Sequence, residues 1–320
     1  MDLMRRIDPE LIPVIEMTPV VETFTNENLP GRRIMMEEIF RDMIALLPPV
    51  EGIETEDRSV PGPEGDPDVP VRIYTPAEKT GPMPGLFWIH GGGYILGSLE
   101  IDDRRMRQIS AGTGCVIVSV NYRLAPENPF PTPVEDCYAA LKWMFDNHDN
   151  LHVDQSRIAI GGGSAGGGLA AGLAILTRDR AEMEILFQLL IYPMIDDRNI
   201  TPSSHAITDP RTWNREKNLF AWKAYLGDAV FSDYDVSPYG APSRAEDLSG
   251  LPPAYIAVGE LDLFLDEDIE YGQRLMQAGV STEIHVYPGA THAFDGVETA
   301  ALSKRFIRER EEALKRAFFI

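Results

Sequence analysis

The sequence RIAIGGGSAGGGLA, from Arg157 to Ala170, places one serine among glycines between two differently patterned segments. The apolar residues before the glycines predict a short buried strand, and the residues after Ser164 have a helical pattern. In a Gly-x-Ser-x-Gly turn between a strand and a helix, the serine hydroxyl is exposed above the sheet. The positive end of the helix lies beside that hydroxyl. This arrangement predicts that Ser164 is a nucleophile.

The same glycines also fit a dinucleotide-binding pattern, since Gly161, Gly163 and Gly166 have the spacing G-x-G-x-x-G. That pattern requires an acid about 20 residues further on, at the end of the next strand. The first acids after that strand, Asp196 and Asp197, lie beyond a proline and well past that distance. The sequence therefore argues against a nicotinamide or flavin, and we expect no cofactor.

Strand and helix patterns alternate from residue 69 to the end of the chain. The predicted strands are Val69–Tyr74, Leu86–Ile89, Val116–Val120, Arg157–Ile160, Leu186–Ile191, Ala254–Val258 and Glu283–Tyr287. The predicted helices between and after them are Asp136–Phe145, Ser164–Arg178, Asp266–Ala278 and Glu298–Phe319. Apolar strands separated by helices indicate a mostly parallel sheet covered on both faces, which is an α/β fold.

Two segments do not follow this alternation. The N-terminal segment contains one helical pattern, Met35–Leu47, followed by two prolines. Between residues 196 and 235 there is no strand pattern, but Asn214–Leu226 is helical and rich in aromatic residues. Connections longer than about 15 residues are often lids or binding elements. We therefore predict that residues 1–60 and 196–235 form a helical cap over a catalytic domain of residues 61–195 and 236–320.

A second glycine cluster follows the predicted strand Leu86–Ile89 and reads His90-Gly91-Gly92-Gly93-Tyr94. Glycines allow several backbone N–H groups to converge on one point. Acyl transfer needs such donors for the oxyanion of its tetrahedral intermediate. The amide that follows a nucleophilic serine also contributes. The predicted oxyanion hole consists of the backbone amides of Gly91, Gly92, Gly93 and Ala165.

A serine nucleophile needs a base, and the base needs an acid that orients it. His292 follows the last predicted strand, at the sheet edge where catalytic groups of open α/β sheets gather. His90 belongs to the glycine loop, where we expect it to support the backbone. The loop after Ala254–Val258 contains four acids, which are Glu260, Asp262, Asp266 and Glu267. Glu260 is nearer the strand and Asp266 fits a helix cap, so we predict that Asp262 orients His292.

Composition excludes several classes of function. The chain has 320 residues, with 50 acids against 29 bases and a net charge of −21. Such a charge repels nucleic-acid phosphates and anionic membrane surfaces. No apolar run approaches the roughly 20 residues that span a bilayer, and we see no secretory signal. Cys115 and Cys137 have no metal-binding spacing. We predict a cytoplasmic protein with two buried thiols and no metal.

The chain resembles the bacterial esterases related to mammalian hormone-sensitive lipase, which are capped α/β-hydrolases. The resemblance covers nearly all of residues 60–320. It rests on His90–Gly93, the sequence YRLAPE from Tyr122 to Glu127, the turn at Ser164 and the loops of Asp262 and His292. It implies a serine esterase for short- to medium-chain acyl esters, without a cofactor, and it allows a homodimer. We also expect Arg123, Glu127 and Asp136 to form a structural ion-pair network under the glycine loop.

The chain departs from that family at three positions. Gly163 precedes the nucleophile where many relatives carry Asp, and Leu263 follows the acid where Pro is usual. Ala293 follows the histidine where Gly is usual, which is tolerable unless this position needs a positive φ. Two alternatives remain, a lyase or dehydratase on the same scaffold and a ligand-binding receptor, since a fold does not determine a function.

Overall fold

The computed structural model describes residues 3–18, 20, 23–45, 47–78, 81–230 and 236–319. Its strands are β1 (Ile53–Val60), β2 (Val69–Pro76), β3 (Met83–Ile89), β4 (Val116–Val120), β5 (Val153–Gly163), β6 (Gln188–Ile191), β7 (Ala254–Leu261) and β8 (Thr282–Thr291). Its helices are α1 (Ile12–Met17), α2 (Leu29–Ala45), α3 (Leu99–Thr113), α4 (Thr132–Asp146), α5 (Ala165–Arg180), α6 (Pro202–Ala206), α7 (Arg215–Leu226), α8 (Leu265–Gln277) and α9 (Ala301–Phe319). None of the helices within these ranges is long and apolar enough to cross a membrane.

The strands form one sheet in the order β1-β2-β4-β3-β5-β6-β7-β8. Strand β2 is antiparallel to both of its neighbours, whereas every pair from β4 to β8 is parallel. This topology confirms the predicted α/β fold and all seven predicted strands. The carboxyl ends of β3, β5, β7 and β8 lie at the same edge, so the loops that follow them meet there.

The sheet is covered on both faces. In β3, Phe87 and Ile89 enter one apolar cluster, and Leu86 and Trp88 enter a second cluster on the opposite face. Every residue of β3 and β4 is buried. Because side chains alternate between faces along a strand, both faces must be apolar, which explains the unbroken apolar runs in the sequence.

Strand β1 corrects the predicted boundary of the cap at residue 60. Its six central residues are exposed, so the strand lacks an apolar run and the sequence does not predict it. Backbone pairing with β2 holds it at the edge of the sheet, from Ile53 opposite Pro76 to Val60 opposite Val69. Residues 53–60 therefore belong to the sheet and not to the cap.

The first described residues pack against the body of the catalytic domain. Ile7, Leu11 and Ile15 are buried in the second apolar cluster. The Asp8 N–H donates to the Gly289 carbonyl, which lies 3.0 Å away in β8. This part of the predicted N-terminal cap segment thus lies along the last strand of the sheet.

The later part of the N-terminal segment contacts the insertion after residue 196. The Phe24 ring centroid lies 6.3 Å from that of Trp213 and 6.0 Å from that of Phe220. The Thr23 hydroxyl donates to Glu216 Oε1 at 2.6 Å. Residues 1–2, 19, 21–22, 46 and 231–235, which the predicted cap includes, lie outside the described residues.

Helices α3 and α8 differ from the sequence expectations. The apolar stripe of α3 is interrupted by acids and arginines, so the sequence does not predict this helix. Helix α8 begins at Leu265, and Asp266 lies inside its first turn rather than capping it. The Asp266 carboxylate instead accepts a hydrogen bond of 2.7 Å from the Ser203 N–H at the start of α6. The Asp266 side chain thus anchors α6 to α8.

An ion pair with one fully buried partner joins the segment after β4 to α4. The Arg123 guanidinium donates to both oxygens of Asp136, at 2.7 Å and 2.9 Å, and the Arg123 N–H donates to the same carboxylate. Arg123 also binds the exposed Asp66. Glu127 is not part of this network, since its carboxylate pairs with Arg33 of α2. The predicted three-residue network is therefore two separate groups of ion pairs, one around Arg123 and one between Glu127 and Arg33.

We predict that Asp136→Ala lowers the free energy of unfolding by about 2 kcal/mol, because it removes buried hydrogen bonds to a charged group and leaves Arg123 only the exposed Asp66 as a partner. Asp66→Ala removes a carboxylate whose side chain is 45% exposed, so it costs about 1 kcal/mol or less. Denaturant unfolding of both variants measures the difference. Equal losses of unfolding free energy in the two variants would show that burial of Asp136 adds nothing to the stability of the protein.

Candidate active site

Side chains from the loops after β5, β7 and β8 form a hydrogen-bonded chain. Ser164 Oγ lies 2.9 Å from His292 Nε2, and His292 Nδ1 lies 2.7 Å from Asp262 Oδ2. Because a carboxylate only accepts hydrogen bonds, Nδ1–H donates to Asp262, and Nε2 is left to accept from the serine hydroxyl. The structure therefore brings the three predicted residues together, in the geometry that a nucleophile, a base and an acid require.

The chain is buried at its acid end. Asp262 is 1% exposed and Ser164 is 7% exposed. The other carboxylate oxygen of Asp262 accepts a hydrogen bond of 3.1 Å from the Phe264 N–H. Asp262 is thereby fixed by two hydrogen bonds at the end of the chain away from Ser164.

The backbone at Ser164 has a conformation that L-amino acids rarely adopt, with φ 56° and ψ −122°. The Ser164 N–H donates to the Ile191 carbonyl at 2.9 Å, and the Ser164 carbonyl accepts from Met194 N–H at 3.0 Å. Such strain persists only where the surroundings enforce it. The hydrogen bonds to the end of β6 provide that enforcement and direct the hydroxyl toward His292.

The glycines around Ser164 permit backbone contacts that no side chain would allow. A Cβ on Gly162 would lie 2.2 Å from the Gly166 carbonyl oxygen, and one on Gly166 would lie 2.1 Å from the Ile89 carbonyl oxygen. A Cβ on Gly168 would lie 2.0 Å from the Met194 carbonyl oxygen. Helix α5 therefore approaches the ends of β3 and β6 directly through its backbone.

The glycine loop adjoins the serine turn. A Cβ on Gly91 would lie 2.8 Å from the Gly163 carbonyl oxygen. Gly92, Gly93 and Tyr94 have positive φ values of 118°, 61° and 64°. Among the described residues, no group accepts a hydrogen bond from the Gly92 or Gly93 N–H. The Ala165 N–H is the first of α5 and has no partner within the helix. These amides remain available to an oxyanion.

His90 supports the glycine loop, as expected. Its ring is fully buried and stacks on Tyr122 with centroids 4.3 Å apart. Its Nδ1–H donates to the Gly91 carbonyl at 2.8 Å. Burial lowers the pKa of His90, so the ring is neutral at pH 7. The hydroxyl of Tyr122 donates to the His90 carbonyl at 3.1 Å and fixes the backbone at the start of the loop.

The other acids of the predicted acid loop have different partners. Glu260 pairs with Arg6 and accepts from the Gly289 N–H. Glu267 is buried and accepts from the N–H groups of Ile195 and Asp196 at 3.0 Å and 3.2 Å. Burial raises the pKa of Glu267 well above its usual range, and Asp196 adds to this effect. Neither carboxylate has a hydrogen bond to His292.

Comparison with known proteins shows which family the chain resembles. A family model described as alpha/beta hydrolase fold matches residues 86–296. Carboxylesterase NlhH of Mycobacterium tuberculosis is 36% identical over 291 residues, which cover 90% of this chain and 88% of that protein. A solved bacterial heroin esterase has a TM-score of 0.94 and 43% identity over 99% of both chains. The esterase LipW of Mycobacterium marinum has a TM-score of 0.90 and 36% identity, covering 100% of this chain and 98% of that one.

This chain belongs to the α/β-hydrolase family. It is a carboxylic ester hydrolase of the bacterial branch related to hormone-sensitive lipase. The predicted family and the predicted enzyme class are thus confirmed.

The thiols of the esterase are poor candidates for an alternative nucleophile. Cys115 and Cys137 are both buried and free. Burial raises the pKa of Cys115 to about 12 and that of Cys137 well above its usual range. A thiol that stays protonated is a weak nucleophile. Within the described ranges, no cluster of three or more His, Cys, Asp or Glu side chains could hold a metal ion.

Two aromatic residues beside the base were not predicted from the sequence. The Tyr192 ring lies edge-on to the His292 ring, with centroids 4.7 Å apart, and Phe264 lies edge-on at 5.2 Å. Both rings restrict the imidazole to the plane that reaches Ser164. The only available signal was position, since Tyr192 directly follows a predicted strand at the carboxyl edge and Phe264 follows Asp262 closely.

The structure gives physical meaning to two of the departures from the family. Ala293 has a φ of 58°, so this position does need the positive φ that glycine adopts without strain. The alanine therefore carries a strain of about 1 kcal/mol that glycine would avoid. At Gly163 an added Cβ would lie 3.5 Å from Arg105 Nη1 and 3.7 Å from the Tyr192 ring, which are ordinary contacts. A small side chain at residue 163 therefore fits.

We predict opposite outcomes for alanine at adjacent glycines. Gly163→Ala keeps kcat/KM within about threefold of the parent, because its Cβ makes only ordinary contacts. Gly162→Ala forces the backbone of the serine turn apart, and a displacement of about 1 Å at such a site costs about 10²-fold in rate. Ester hydrolysis and thermal unfolding of the two variants provide the measurement. An active Gly162→Ala enzyme would contradict the assigned close approach to Gly166.

Proposed function

We propose that this esterase is a serine carboxylesterase that acts through an acyl-enzyme intermediate. The observation that carries the proposal is the hydrogen-bonded chain from Ser164 through His292 to Asp262, which lies beside a loop with unpaired amides. Ser164 Oγ attacks the ester carbonyl carbon while His292 Nε2 takes the hydroxyl proton. Asp262 holds the imidazole and stabilises its cationic form.

The oxyanion of the tetrahedral intermediate needs donors that are in place before the reaction. We assign this role to the backbone amides of Gly91, Gly92, Gly93 and Ala165. When the intermediate collapses, the bond to the alkoxy oxygen breaks, and His292 gives its proton to the leaving alcohol. A water molecule, deprotonated by His292, then attacks the acyl carbon, and the carboxylic acid leaves as Ser164 regains its proton.

We propose that small-molecule esters with short to medium acyl chains are the substrates. A Cβ on Gly93 would lie 2.3 Å from the Trp213 ring, so this ring packs directly on the glycine loop. Phe24 and Phe220 extend the aromatic surface away from the loop. Trp222, in contrast, is fully buried in the apolar core. An apolar wall beside the oxyanion amides favours an apolar acyl or alcohol group.

We assign the cap to the part of the N-terminal segment around Phe24 and α2 together with residues 196–235. The support is the direct contact of Phe24 and Thr23 with the insertion. Arg33 of α2 also donates to the carbonyls of Ile95 and Ala125, both at 2.8 Å. The N-terminal segment is thereby tied to the glycine loop. Nothing in the described part of the chain favours the lyase or the receptor. Cytoplasmic location and dimerisation stay predictions from the sequence.

We predict that Ser164→Ala lowers kcat on p-nitrophenyl esters by about 10⁴-fold or more, because loss of a triad nucleophile has effects of that size or larger. The parent enzyme should show an optimum within the series from C2 to C12. The matched control is Ser156→Ala on the same strand, whose exposed hydroxyl binds only Asp154; it should retain full activity.

A serine-reactive fluorophosphonate gives an independent readout. It should label the parent and the Ser156→Ala variant but not Ser164→Ala. Ester turnover that survives in Ser164→Ala would refute the proposed nucleophile. A folded parent enzyme with neither turnover nor labelling would refute the esterase mechanism in favour of one of the alternatives.

A further inference from the structure

A buried cluster of charged and hydroxyl groups lies behind His292. Arg105 of α3 donates to Asp102 Oδ1 at 2.9 Å and to Asp295 Oδ2 at 2.8 Å. The Tyr192 hydroxyl donates to the other oxygen of Asp295 at 2.7 Å. Trp88 Nε1–H donates to the second oxygen of Asp102 at 2.8 Å. None of these groups takes part in the mechanism described above.

We propose that Asp295, held by Arg105 and Tyr192, is a positioning residue for His292. This inference rests on the proposed role of His292 as the base. Asp295 lies three positions after His292 in the sequence, so its carboxylate anchors the far end of the turn that carries the imidazole. The near end is held by the bond from His292 to Asp262. The turn is therefore fixed at two points, the imidazole itself and the residue three positions later.

The turn needs such an anchor because its own backbone is strained. Ala293, between His292 and the short 3-10 turn Phe294–Gly296, has a φ of 58°. A non-glycine residue in this region persists only when its surroundings enforce the conformation. Asp295 is 5% exposed and both of its oxygens are bound. The bonds from Arg105 and Tyr192 to Asp295 thus enforce the strained conformation from within the same turn.

Tyr192 joins the anchor to the base. Its hydroxyl binds Asp295, while the edge-on contact of its ring limits the rotation of His292. Burial, together with the charge of Asp295, raises the pKa of Tyr192 well above its usual range, so the phenol stays protonated and donates. Loss of the hydroxyl releases Asp295 but keeps the ring in place.

Arg105 connects the anchor with the serine turn. Its Nη1 lies 3.5 Å from the position that a Cβ on Gly163 would occupy. The Arg105 guanidinium therefore lies beside Gly163, which precedes the nucleophile, and also binds Asp295 in the turn that carries His292. Burial opposes its charge, but Asp295 and Asp102 outweigh that effect and raise the pKa of Arg105.

The charged and titratable groups that surround the base come from several elements. They are Asp102 and Arg105 of α3, Tyr192 after β6, Asp262 after β7, Asp295 of the base turn and Arg310 of α9. Within this set Arg105 neutralises Asp295. Its removal leaves Asp295 and Asp102 without their shared cation. Removal of the Asp295 carboxylate releases both Arg105 and the Tyr192 hydroxyl.

The test is a double-mutant cycle with Tyr192→Phe and Asp295→Asn on p-nitrophenyl esters. Each single variant should lower kcat about tenfold and leave KM within about twofold, because the acyl site is untouched. The double variant should be no slower than the slower single variant, since both changes break one interaction. The matched control is Tyr255→Phe, which removes an equally buried hydroxyl bonded to Tyr287 at 3.1 Å; it should keep the parent kcat.

Rescue by a conservative variant separates a positioning role from loss of stability. Arg105→Met should lower kcat and leave KM within about twofold, as the Asp295 variant does, because it removes the cation that holds Asp295. Arg105→Lys should restore part of the lost kcat, because it keeps a cation beside Asp295. Where Arg105→Met does not fold, the cycle of Tyr192 and Asp295 alone decides the matter.

Two results would overturn the proposal. One is a kcat for Tyr192→Phe and Asp295→Asn that equals that of Tyr255→Phe. The other is a double variant whose loss is the product of the two single losses. Failure of this inference about Asp295 is distinguishable from failure of the proposed function. In the first case Ser164→Ala remains inactive and unlabelled, whereas in the second it retains turnover.

Discussion

The strained backbone at Ser164 is the constraint on which the rest of the site depends. A residue held in a sparsely populated backbone region costs about 1–3 kcal/mol, and here this conformation turns the chain from β5 into α5 within one residue. The turn is so tight that Gly162 and Gly166 must lack side chains. In return, the hydroxyl stands at the carboxyl edge of the sheet, and the first amides of α5 face the same point.

The parallel sheet explains why distant parts of the chain converge there. Ser164 and His292 are 128 positions apart, and Asp262 and His292 are 30 apart. Each follows a strand of the same direction, so its loop emerges at the same edge. Pairing of β7 with β8 places the acid and base loops side by side. The hydrogen bonds of the candidate triad then need only short loops.

The sequence predicted what depends on local pattern and strand order, and it missed what depends on pairing across the fold. Ser164, Asp262 and His292 could be found because glycine turns and strand ends mark them. Strand β1 has no apolar run, because its six central residues are exposed at the edge of the sheet. Asp295 has no local signal and Tyr192 has only its position after a strand, because their roles exist only once the end of β6 meets the base turn. The partner of Glu127 could not be predicted from the sequence either, because Arg33 of α2 is 94 positions away.

The two strained residues of the site are stabilised by different means. At Ser164 the backbone itself supplies the restraint, through hydrogen bonds to Ile191 and Met194. At Ala293 the strain is about 1 kcal/mol, and the two bonds to the Asp295 carboxylate lie close by. Hydrogen bonds to charged groups contribute about 1.5–3 kcal/mol each, so one of them offsets this strain. An alanine can therefore follow the base in this chain, because the anchor two residues later holds the turn that glycine would otherwise ease.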